Sequence, residues 1–419
     1  MATWPLKRMD GLCEITSSKR IFAADYVSEG VPFYRGREIT EKYKGNLDIS
    51  TELFITEDKF REIERKFGAP KQGDLLLTSV GTLGSVYVVK PGDRFYFKDG
   101  NLTWFRHFNG LDSQFLYYWI GSPQGKAELK KCTIGSSQSA FTIVLLKSME
   151  IALPPLPAQQ RIAAILSAYD ELIENSQRRI KTLEAMARAI YREWFVHFRF
   201  PGFEHYPRVA SPLGEIPQGW EVRTLAELCT RMESGGTPKR SNAEYWEGGE
   251  IDWYKTGELW DGFLFGSQEQ ITACGQREST ARLFEPGTIL MAIYGSPTVG
   301  RMGILTSHAS CNQAALGLVA NKALISQTYL YFVLFSLRER FNSLAQGAAQ
   351  QNISKEKVAS ALAVMPTRDI VESFDRNAEP IFAQIQTLQR QVQNLRRTRD
   401  LLLPRLLSGQ TMPVYPEVG

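Results

Sequence analysis

Residue patterns that could perform catalysis are sparse in this sequence. The segment from Gly295 to Gly300 has the glycine spacing of a phosphate-binding loop, but Arg301-Met302 stands where the Lys and the hydroxyl residue would be needed. The acidic and basic residues of 250–255 are like a fragment of a metal-dependent nuclease site, without a partner acid upstream. We therefore expect a hairpin turn at the first segment and no catalytic site in this chain.

Histidine and cysteine spacing does not indicate a metal centre. The four histidines are isolated, and the five cysteines are scattered without a CxxC pair. A disulfide framework is unexpected, and this cysteine usage favours a reducing cytoplasm. The first residues lack the apolar stretch of a secretory signal, and the longest apolar run, 329–335, is far shorter than the ~20 residues of a membrane span. We expect a cytoplasmic protein with neither a metal ion nor a cofactor in this chain.

The composition is that of a globular chain with more than one domain. Of its 419 residues, 43% are hydrophobic and 22% are charged, which predicts two or three domains and excludes extensive disorder. The net charge is only +4, so any surface that binds nucleic acid must be a local one.

An internal duplication organises the chain. The turn glycines Gly81 and Gly295 lie 214 residues apart, and Pro154 and Pro366 lie 212 residues apart. Strand-like segments are predicted at 75–78, 86–89 and 289–293. The other matched segments, in the same order in both halves, are 33–35 with 253–255, 73–76 with 287–290, 115–118 with 329–332 and 135–142 with 347–354.

A long helical pattern follows each of the two prolines. Apolar residues recur at a seven-residue spacing from Ile162 to Ile190 and from Phe374 to Leu402, which is typical of coiled coils. A helix of ~40 residues is near 60 Å long at 1.5 Å per residue, more than a domain of this size needs. The alternative, in which each helix packs on its own domain, stays open.

These elements predict an α+β fold. It has two globular α/β domains separated by two long helices, which form an antiparallel coiled coil with a pseudo-twofold repeat. The linker is rich in Pro and Gly, which disfavour helix and strand. The predicted boundaries are 1–153 for the first globular domain, 154–200 for the first helical region, 201–219 for the linker, 220–365 for the second globular domain, 366–410 for the second helical region and 411–419 for a C-terminal tail.

Polar loops with basic and aromatic residues recur at matching places in the two halves. Their side chains are of the types that read base edges and hold phosphates. Any one loop is well explained as solvated surface, but recurrence with changed identities is expected when one scaffold reads two DNA sequences. The candidate DNA-binding residues are Tyr34, Arg35, Arg37, Lys42, Lys44, Ser79, Thr82, Lys130, Lys131, Ser136 and Gln138 in the first half and Lys239, Arg240, Tyr254, Lys255, Thr256, Ser296, Thr298, Arg301, Gln350, Gln351 and Asn352 in the second.

Several segments resemble the DNA specificity subunits of type I restriction–modification enzymes. They are LPPLPAQQRIAAIL at 153–166 with REWFV at 192–196, LGEIPQGWEV at 213–222 and LPRLLSG at 403–409. The second helical region lacks the Gln-Gln-Arg-Ile element and the Trp-Phe pair, so one of two partner contacts is expected to be weaker or differently built.

The resemblance implies a non-catalytic chain with two target-recognition domains. Each would read one half of a bipartite, asymmetric double-stranded DNA site, and the helical pair would set the spacer. It implies two modification subunits that methylate adenine and two motor-nuclease (restriction) subunits, with S-adenosylmethionine, ATP and Mg²⁺ bound by those partners. Arg161, Trp194 and Phe195 are the candidate partner-binding residues, although Trp194 would also suit the coil core.

Three other functions stay open. A stand-alone sequence-specific DNA-binding regulator would bind tightly without enzyme partners. A nuclease with an unrecognised site would cleave DNA by itself in the presence of a metal ion. A coiled-coil scaffold would show no salt-dependent affinity for DNA.

Overall fold

The computed structural model describes residues 4–46, 49–135, 139–295, 298–346 and 352–410. Five of the candidate DNA-binding residues lie outside these ranges: Ser136, Gln138, Ser296, Gln350 and Gln351.

The chain folds as two compact units. One is built from two separate stretches of sequence, and the other is built from the single stretch between them. Unit 1 comprises the chain up to Asn175 together with the residues from Gln393 onward, and unit 2 comprises Ser176–Val392. The boundary falls inside both long helices, so each helix contributes to both units.

Unit 1 is a mixed α/β unit. Its strands are β1 (Leu6–Arg8), β2 (Glu14–Thr16), β3 (Tyr26–Val27), β4 (Val31–Tyr34), β5 (Phe54–Ile55), β6 (Leu75–Thr78), β7 (Val86–Val88), β8 (Tyr96–Phe97), β9 (Leu102–Arg106), β10 (Thr133–Ile134), β11 (Ala140–Phe141) and β12 (Glu150–Ala152). Its helices are α1 (Gly36–Tyr43), α2 (Glu57–Phe67), α3 (Ser113–Gly121), α4 (Pro123–Lys131), α5 (Ile143–Ser148) and the first part of α6 (Leu156–Tyr191).

Unit 2 repeats this mixture of elements. Its strands are β13 (Arg208–Ser211), β14 (Gly214–Pro217), β15 (Glu221–Thr224), β16 (Cys229–Ser234), β17 (Ile251–Tyr254), β18 (Gly262–Leu264), β19 (Glu269–Ile271), β20 (Ile289–Ala292), β21 (Met302–Leu305), β22 (Ala309–Cys311), β23 (Ala315–Ala320) and β24 (Leu362–Met365). Its helices are α7 (Leu225–Leu228), α8 (Ala273–Arg277), α9 (Gln327–Ser336), α10 (Arg338–Gln346), α11 (Lys355–Ala359) and the first part of α12 (Arg368–Leu407).

Sheet topology confirms the internal duplication. The main sheet has the order β2-β9-β6-β7 in unit 1, and unit 2 has the order β16-β23-β20-β21 with β18 added at the edge. A parallel pair, β4 with β8, recurs as β17 with β22. The antiparallel pair β1 with β12 recurs as β15 with β24.

Continuous apolar runs form the centre of each main sheet. All four residues of β6 and all four residues of β20 are buried, as expected for short apolar runs covered on both faces. The predicted segments 86–89 and 289–293 are strands that end one residue earlier than expected, at Val88 and Ala292.

The two long helices pack against each other and against the globular domains. In unit 1, the start of α6 shares a core with the end of α12, through Ile162 and Leu406. In unit 2, the end of α6 shares a core with the start of α12, and the rings of Tyr191 and Phe374 lie 6.3 Å apart. This order makes the pair antiparallel, as predicted. Both cores also contain residues of the neighbouring sheet. The apolar stripes therefore pack against each other, as in a coiled coil, and also against the globular domains.

The linker differs from its prediction. It contains a two-stranded hairpin, in which β13 pairs with β14 from Arg208 opposite Pro217 to Ser211 opposite Gly214. The turn is possible because Gly214 adopts a φ of +94°, and the Ser211 hydroxyl donates to the Gly214 carbonyl at 2.6 Å. Proline is tolerated here because it lies at the end of an edge strand.

Within the described ranges, no helix has the length and apolar character required to cross a bilayer.

Candidate nucleic-acid interface

Each unit places a basic residue directly after a strand of its parallel pair. Arg35 follows β4, and Lys255 follows β17. The backbone N–H of Arg35 donates to the carboxylate of Glu38 at 2.8 Å, and that of Lys255 donates to Glu258 at 3.0 Å. A carboxylate three residues after the first turn residue satisfies an otherwise unpaired amide and fixes the turn. The pattern Tyr-basic-x-x-Glu occurs at 34–38 and at 254–258, and it could have predicted both turns from the sequence.

One hydrogen bond, repeated in both units, joins two further predicted loops. The backbone N–H of Phe141 donates to the carbonyl of Ser79 at 3.0 Å, and that of Ile353 donates to the carbonyl of Ile293 at 2.9 Å. The loop after the central strand, β6 or β20, is therefore attached to the segment that precedes the last small helix of the globular domain. In unit 2 the Asn352 side chain also accepts from the Gly295 amide at 3.1 Å.

The basic strand ends lie beside these loops. A Cβ placed on Gly36 would be 3.9 Å from the Thr78 methyl group, next to the start of the loop in unit 1. In unit 2, Tyr254 and Ala292 belong to one hydrophobic cluster. Three loops that are distant in sequence thus form one surface in each unit, which we call the loop surface.

Glu269 organises the basic residues on the loop surface of unit 2. It accepts from the Lys255 ammonium at 2.5 Å and from the guanidinium of Arg240. These two hydrogen bonds, that of Lys255 first, hold the pKa of Glu269 below its usual range. The Arg240 guanidinium also lies 3.8 Å from the ring centroid of Trp246 and 4.8 Å from that of Trp253. Arg240 is therefore held in place while half of its side chain remains exposed.

Glu269 and Trp246 are absent from the sequence-based candidates. Glu269 reaches the cluster because β19 pairs with β17, which sets Glu269 opposite Trp253. This antiparallel register depends on tertiary structure and leaves no local pattern in the sequence.

Most basic candidates of unit 1 are paired with surface carboxylates. Arg35 pairs with Glu38 at 3.3 Å and shares Glu52 with Arg37 at 3.7 Å each. Lys44 pairs with Glu41 at 3.0 Å, and Lys131 pairs with Glu128 at 2.6 Å. The pairs with Glu52, Glu41 and Glu128 lie at the surface, where ion pairs contribute little to stability, so their cations can exchange a carboxylate for a phosphate at small cost. Glu38 is buried, so its pair with Arg35 is not of this kind.

Lys42 lies in a half-buried cluster with Tyr34. Its ammonium is 5.5 Å from the Tyr34 ring, 4.6 Å from the Tyr87 ring and 3.6 Å from a carboxylate oxygen of Asp93. Burial, followed by the hydrogen bond to Asp93, raises the pKa of Tyr87. With 18% of its side chain exposed, Lys42 is mainly a packing residue behind the loop surface.

Two candidates are corrected by their burial. The Ser79 side chain is 2% exposed and its hydroxyl bonds to that of Thr103 at 2.7 Å, while Tyr254 is 1% exposed. Neither side chain reaches the surface, because each sits where its strand enters the core. Their role is to shape the loop surface from beneath.

The other described candidates lie on or near the surface. The Thr298 hydroxyl donates to the Gly295 carbonyl at 2.6 Å and closes the turn that the sequence predicted there. Among the described residues no carboxylate pairs with the three basic candidates Lys130, Lys239 and Arg301. Thr82, Lys130 and Lys239 are exposed, and Thr256, Thr298, Arg301 and Asn352 are half-buried.

The candidate partner-binding residues differ in their environment. Phe195 is 5% exposed, with its ring 4.8 Å from that of Tyr329 and 5.1 Å from that of Phe374. It is therefore packed in the core of unit 2, where its side chain is not available to a partner in this conformation. Trp194 is half-buried, and its ring centroid lies 6.1 Å from that of Phe374. Arg161 is half-buried on α6.

In the described part of the chain, no three His, Cys, Asp or Glu side chains are grouped closely enough to hold a metal ion.

Comparison with known proteins identifies relatives along most of the chain. Residues 1–185 and 217–362 match the model of the type I restriction modification DNA specificity domain. The chain is 26% identical to the type I restriction enzyme MjaIX specificity subunit of Methanocaldococcus jannaschii, over 97% of this chain and 93% of the relative. It is 23% identical to the type I restriction enzyme HindI specificity subunit of Haemophilus influenzae, over 82% of this chain and 87% of the relative.

The fold is similar to that of a solved structure. A type I restriction-modification system S subunit from M. genitalium matches with a TM-score of 0.63, over 98% of this chain and 96% of that one, at 17% identity. At this identity the likeness concerns the fold alone.

Proposed function

Because this chain belongs to the family of type I restriction–modification DNA specificity subunits, we propose that it selects the DNA sequence on which a type I enzyme acts. In this proposal each unit reads one half of a bipartite, asymmetric site in double-stranded DNA. The chain performs no chemistry itself and supplies the recognition.

The observation that carries this proposal is the repeated loop surface. Both units use the same turn after the parallel strand and the same hydrogen bond between loops. The side chains on this common frame differ, with Arg35 and Arg37 in unit 1 and Lys255 and Arg240 in unit 2. A conserved frame with different hydrogen-bonding groups suits the reading of two different base sequences, since base edges carry the sequence information.

The two long helices suit the role of a spacer. α6 has 36 residues and α12 has 40, and each runs through the boundary between the units without interruption. A continuous helix rises about 1.5 Å per residue and resists bending, so its length would set the number of base pairs between the half-sites.

The exposed faces of the helices are the proposed binding surface for partners. We propose two adenine-methylating modification subunits and two motor-nuclease subunits as partners, with Arg161 and Trp194 near the contact. S-adenosylmethionine, ATP and Mg²⁺ then belong to those partners. The place of action is the cytoplasm, where chromosomal and invading DNA are found.

The test is a binding experiment with the full chain and the methyltransferase encoded beside it. We expect a stable complex that binds one bipartite duplex far more tightly than a scrambled duplex, and a methyltransferase that loses this preference when the chain is left out. A methyltransferase with the same preference in the absence of the chain would contradict the proposal. So would a chain that binds the site equally well alone and never associates with the methyltransferase.

A further inference from the structure

Trp260 is the most exposed of the large aromatic side chains that the structure describes. It leaves 71% of its surface open to solvent, in the segment between Lys255 and β18 of unit 2. Single exposed apolar side chains are common on protein surfaces, and Trp260 is distinguished by the groups that surround it.

The backbone beside Trp260 is fixed in an unusual conformation. Asp261 has a φ of +62°, which residues other than glycine rarely adopt. Its carboxylate forms a two-pronged ion pair with Arg338, at 2.8 Å and 2.5 Å. Its backbone N–H donates to the Met302 carbonyl at 2.8 Å, and the Met302 N–H donates back to the carboxylate at 3.0 Å. Surroundings that hold a strained residue this firmly define the position of its neighbour, Trp260.

The same network holds the loop that ends at Gly300. The Nε–H of Arg338 donates to the Gly300 carbonyl at 2.8 Å, and a Cβ on Gly300 would lie only 2.9 Å from the Arg338 side chain. Arg338 thus ties Trp260 to one of the three loops of the loop surface. The guanidinium of Arg301, the next residue, lies 4.8 Å from the Trp260 ring centroid.

Charge at this place favours an anionic ligand. Asp261 is neutralised by Arg338, and in the described part of the chain no carboxylate pairs with Arg301. The pair of Trp260 and Arg301 therefore carries a net positive charge next to an aromatic face. Phosphates bind such a guanidinium, and bases and sugars pack on aromatic rings.

We infer that Trp260 and Arg301 form a DNA contact of unit 2. Arg301 binds a backbone phosphate, and the indole of Trp260 packs against the adjoining sugar and base. The inference rests on the proposed function and adds to it a residue, Trp260, that lies outside every loop predicted from the sequence. The fixed backbone at Asp261 holds the Cα of Trp260 in place, so the backbone of this segment needs little reordering on binding.

The test separates the apolar contact from the ionic one. The full chain in complex with its methyltransferase is titrated with a duplex that carries the mapped site, at several salt concentrations. We expect Trp260→Ala to weaken binding about tenfold without changing the salt dependence, since loss of one aromatic side chain from an interface has an effect of about this size. Trp260→Phe retains an aromatic face and should weaken binding less than Trp260→Ala.

The Arg301 variants should show the opposite signature. Arg301→Gln should lower the slope of log affinity against log salt by about 0.9, the value for one phosphate, and Arg301→Lys should retain the slope. Phe67→Ala is the matched control, because Phe67 is also an exposed aromatic with a cation above it, Lys19 at 5.1 Å, outside the predicted loops. It should bind like the wild type.

Four results would overturn the inference. Wild-type affinity in Trp260→Ala would remove Trp260 from the DNA contact, as would an equal loss in Phe67→Ala. Unchanged DNA binding with loss of the methyltransferase from Trp260→Ala would assign the surface to a protein partner. If the wild-type complex itself bound no DNA sequence specifically, the proposed function would fail, and the inference with it.

Discussion

At the residue scale, this structure assigns each candidate side chain of the described ranges to the surface or to the layer beneath it. The basic residues that follow the parallel strands, Arg35 and Lys255, keep about a third of each side chain exposed, whereas Ser79 and Tyr254 are buried. The distinction matters for DNA binding, because only the exposed cations can neutralise phosphates.

Replacing the strand-end cations should weaken DNA binding in a salt-dependent way. We expect Arg35→Gln and Lys255→Gln each to lower the affinity of the complex and to reduce the salt slope by about 0.9, if each cation neutralises one phosphate. The measurement is a salt titration of duplex binding. Lys322→Gln, an exposed lysine of unit 2 outside the loops, is the control and should change neither quantity. A variant with wild-type affinity and slope would show that its cation is not at the DNA.

Asp375 should make the free energy of unfolding of unit 2 depend on pH. Burial raises the pKa of Asp375 to about 6 in the folded chain, although the Ser326 hydroxyl donates to it at 2.7 Å. Because the carboxyl pKa is higher in the folded than in the unfolded chain, Asp375 destabilises the fold fully above about pH 6. This cost decreases as the pH falls and is lost near pH 4, at about the pKa of the carboxyl in the unfolded chain. Asp375→Asn should therefore raise Tm relative to the wild type more at pH 7.5 than at pH 5. A Tm difference independent of pH would contradict this account.

Sequence reasoning identified the positions of the site better than the partners of its side chains. Arg35 and Lys255 were found because the two halves of the chain match there. Glu269 and Trp246 were missed, because only strand pairing brings them to Arg240. Burial of Tyr254 was missed as well, since a tyrosine beside a lysine is as typical of a DNA-binding loop as of a strand end.

At the element scale, the long helices are held by polar contacts as well as by their apolar stripes. In unit 1, Asp170 of α6 accepts from Arg399 of α12 at 2.5 Å and from the hydroxyl of Tyr118 of α3 at 2.6 Å. One carboxylate therefore joins both helices to the globular domain. A seven-residue apolar pattern predicted the helices, but it could not predict this ion pair. Arg399 lies seven residues after Val392 and seven before Leu406, in a second apolar row beside the stripe, where an apolar residue is expected.

Removing the Arg399 cation should loosen this junction. Arg399→Met should destabilise unit 1 by about 1–2 kcal/mol, less than for a fully buried pair because both side chains remain about 30% exposed. The measurement is thermal or urea unfolding of the full chain. Arg397→Met, an exposed arginine two residues earlier, is the matched control and should change stability little. Equal effects of the two variants would contradict a specific role for the Asp170 pair.

The other elements show which structures leave a local pattern in the sequence and which do not. Apolar runs predicted β6 and β20 to within one residue, since burial on both faces leaves a strong local pattern. The hairpin of β13 and β14 was missed, because its Pro and Gly content is that of a loop and its pairing depends on the turn at Gly214.

At the scale of the whole molecule, duplication suits the proposed reading of an asymmetric site by one chain. The two units share sheet order and loop connections but not the side chains that those loops carry. The order of the matched segments was sufficient to predict the duplication from the sequence. The boundary between the two compact units falls within uninterrupted helices, where no local sequence pattern marks it.

Shortening both helices should change the spacer alone. Deleting residues 172–178 from α6 and 391–397 from α12 removes one heptad from each helix at the unit boundary. It retains the pair of Asp170 and Arg399 and the hydrogen bond from the Phe263 N–H to Gln389. Seven residues correspond to about 10 Å of helix, or about three base pairs of DNA. We expect a methylated site with unchanged half-sites and a spacer about three base pairs shorter. A changed half-site with the original spacer would contradict the role of the helices.

The most direct test of the central claim is a map of adenine methylation in a host that carries the neighbouring methyltransferase gene, with this gene intact or deleted. The account predicts a bipartite methylated motif that is present only with the intact gene and that reveals both half-sites and the spacer. An unchanged methylation map after deletion, in cells where the methyltransferase is active, would show that this chain does not select the site.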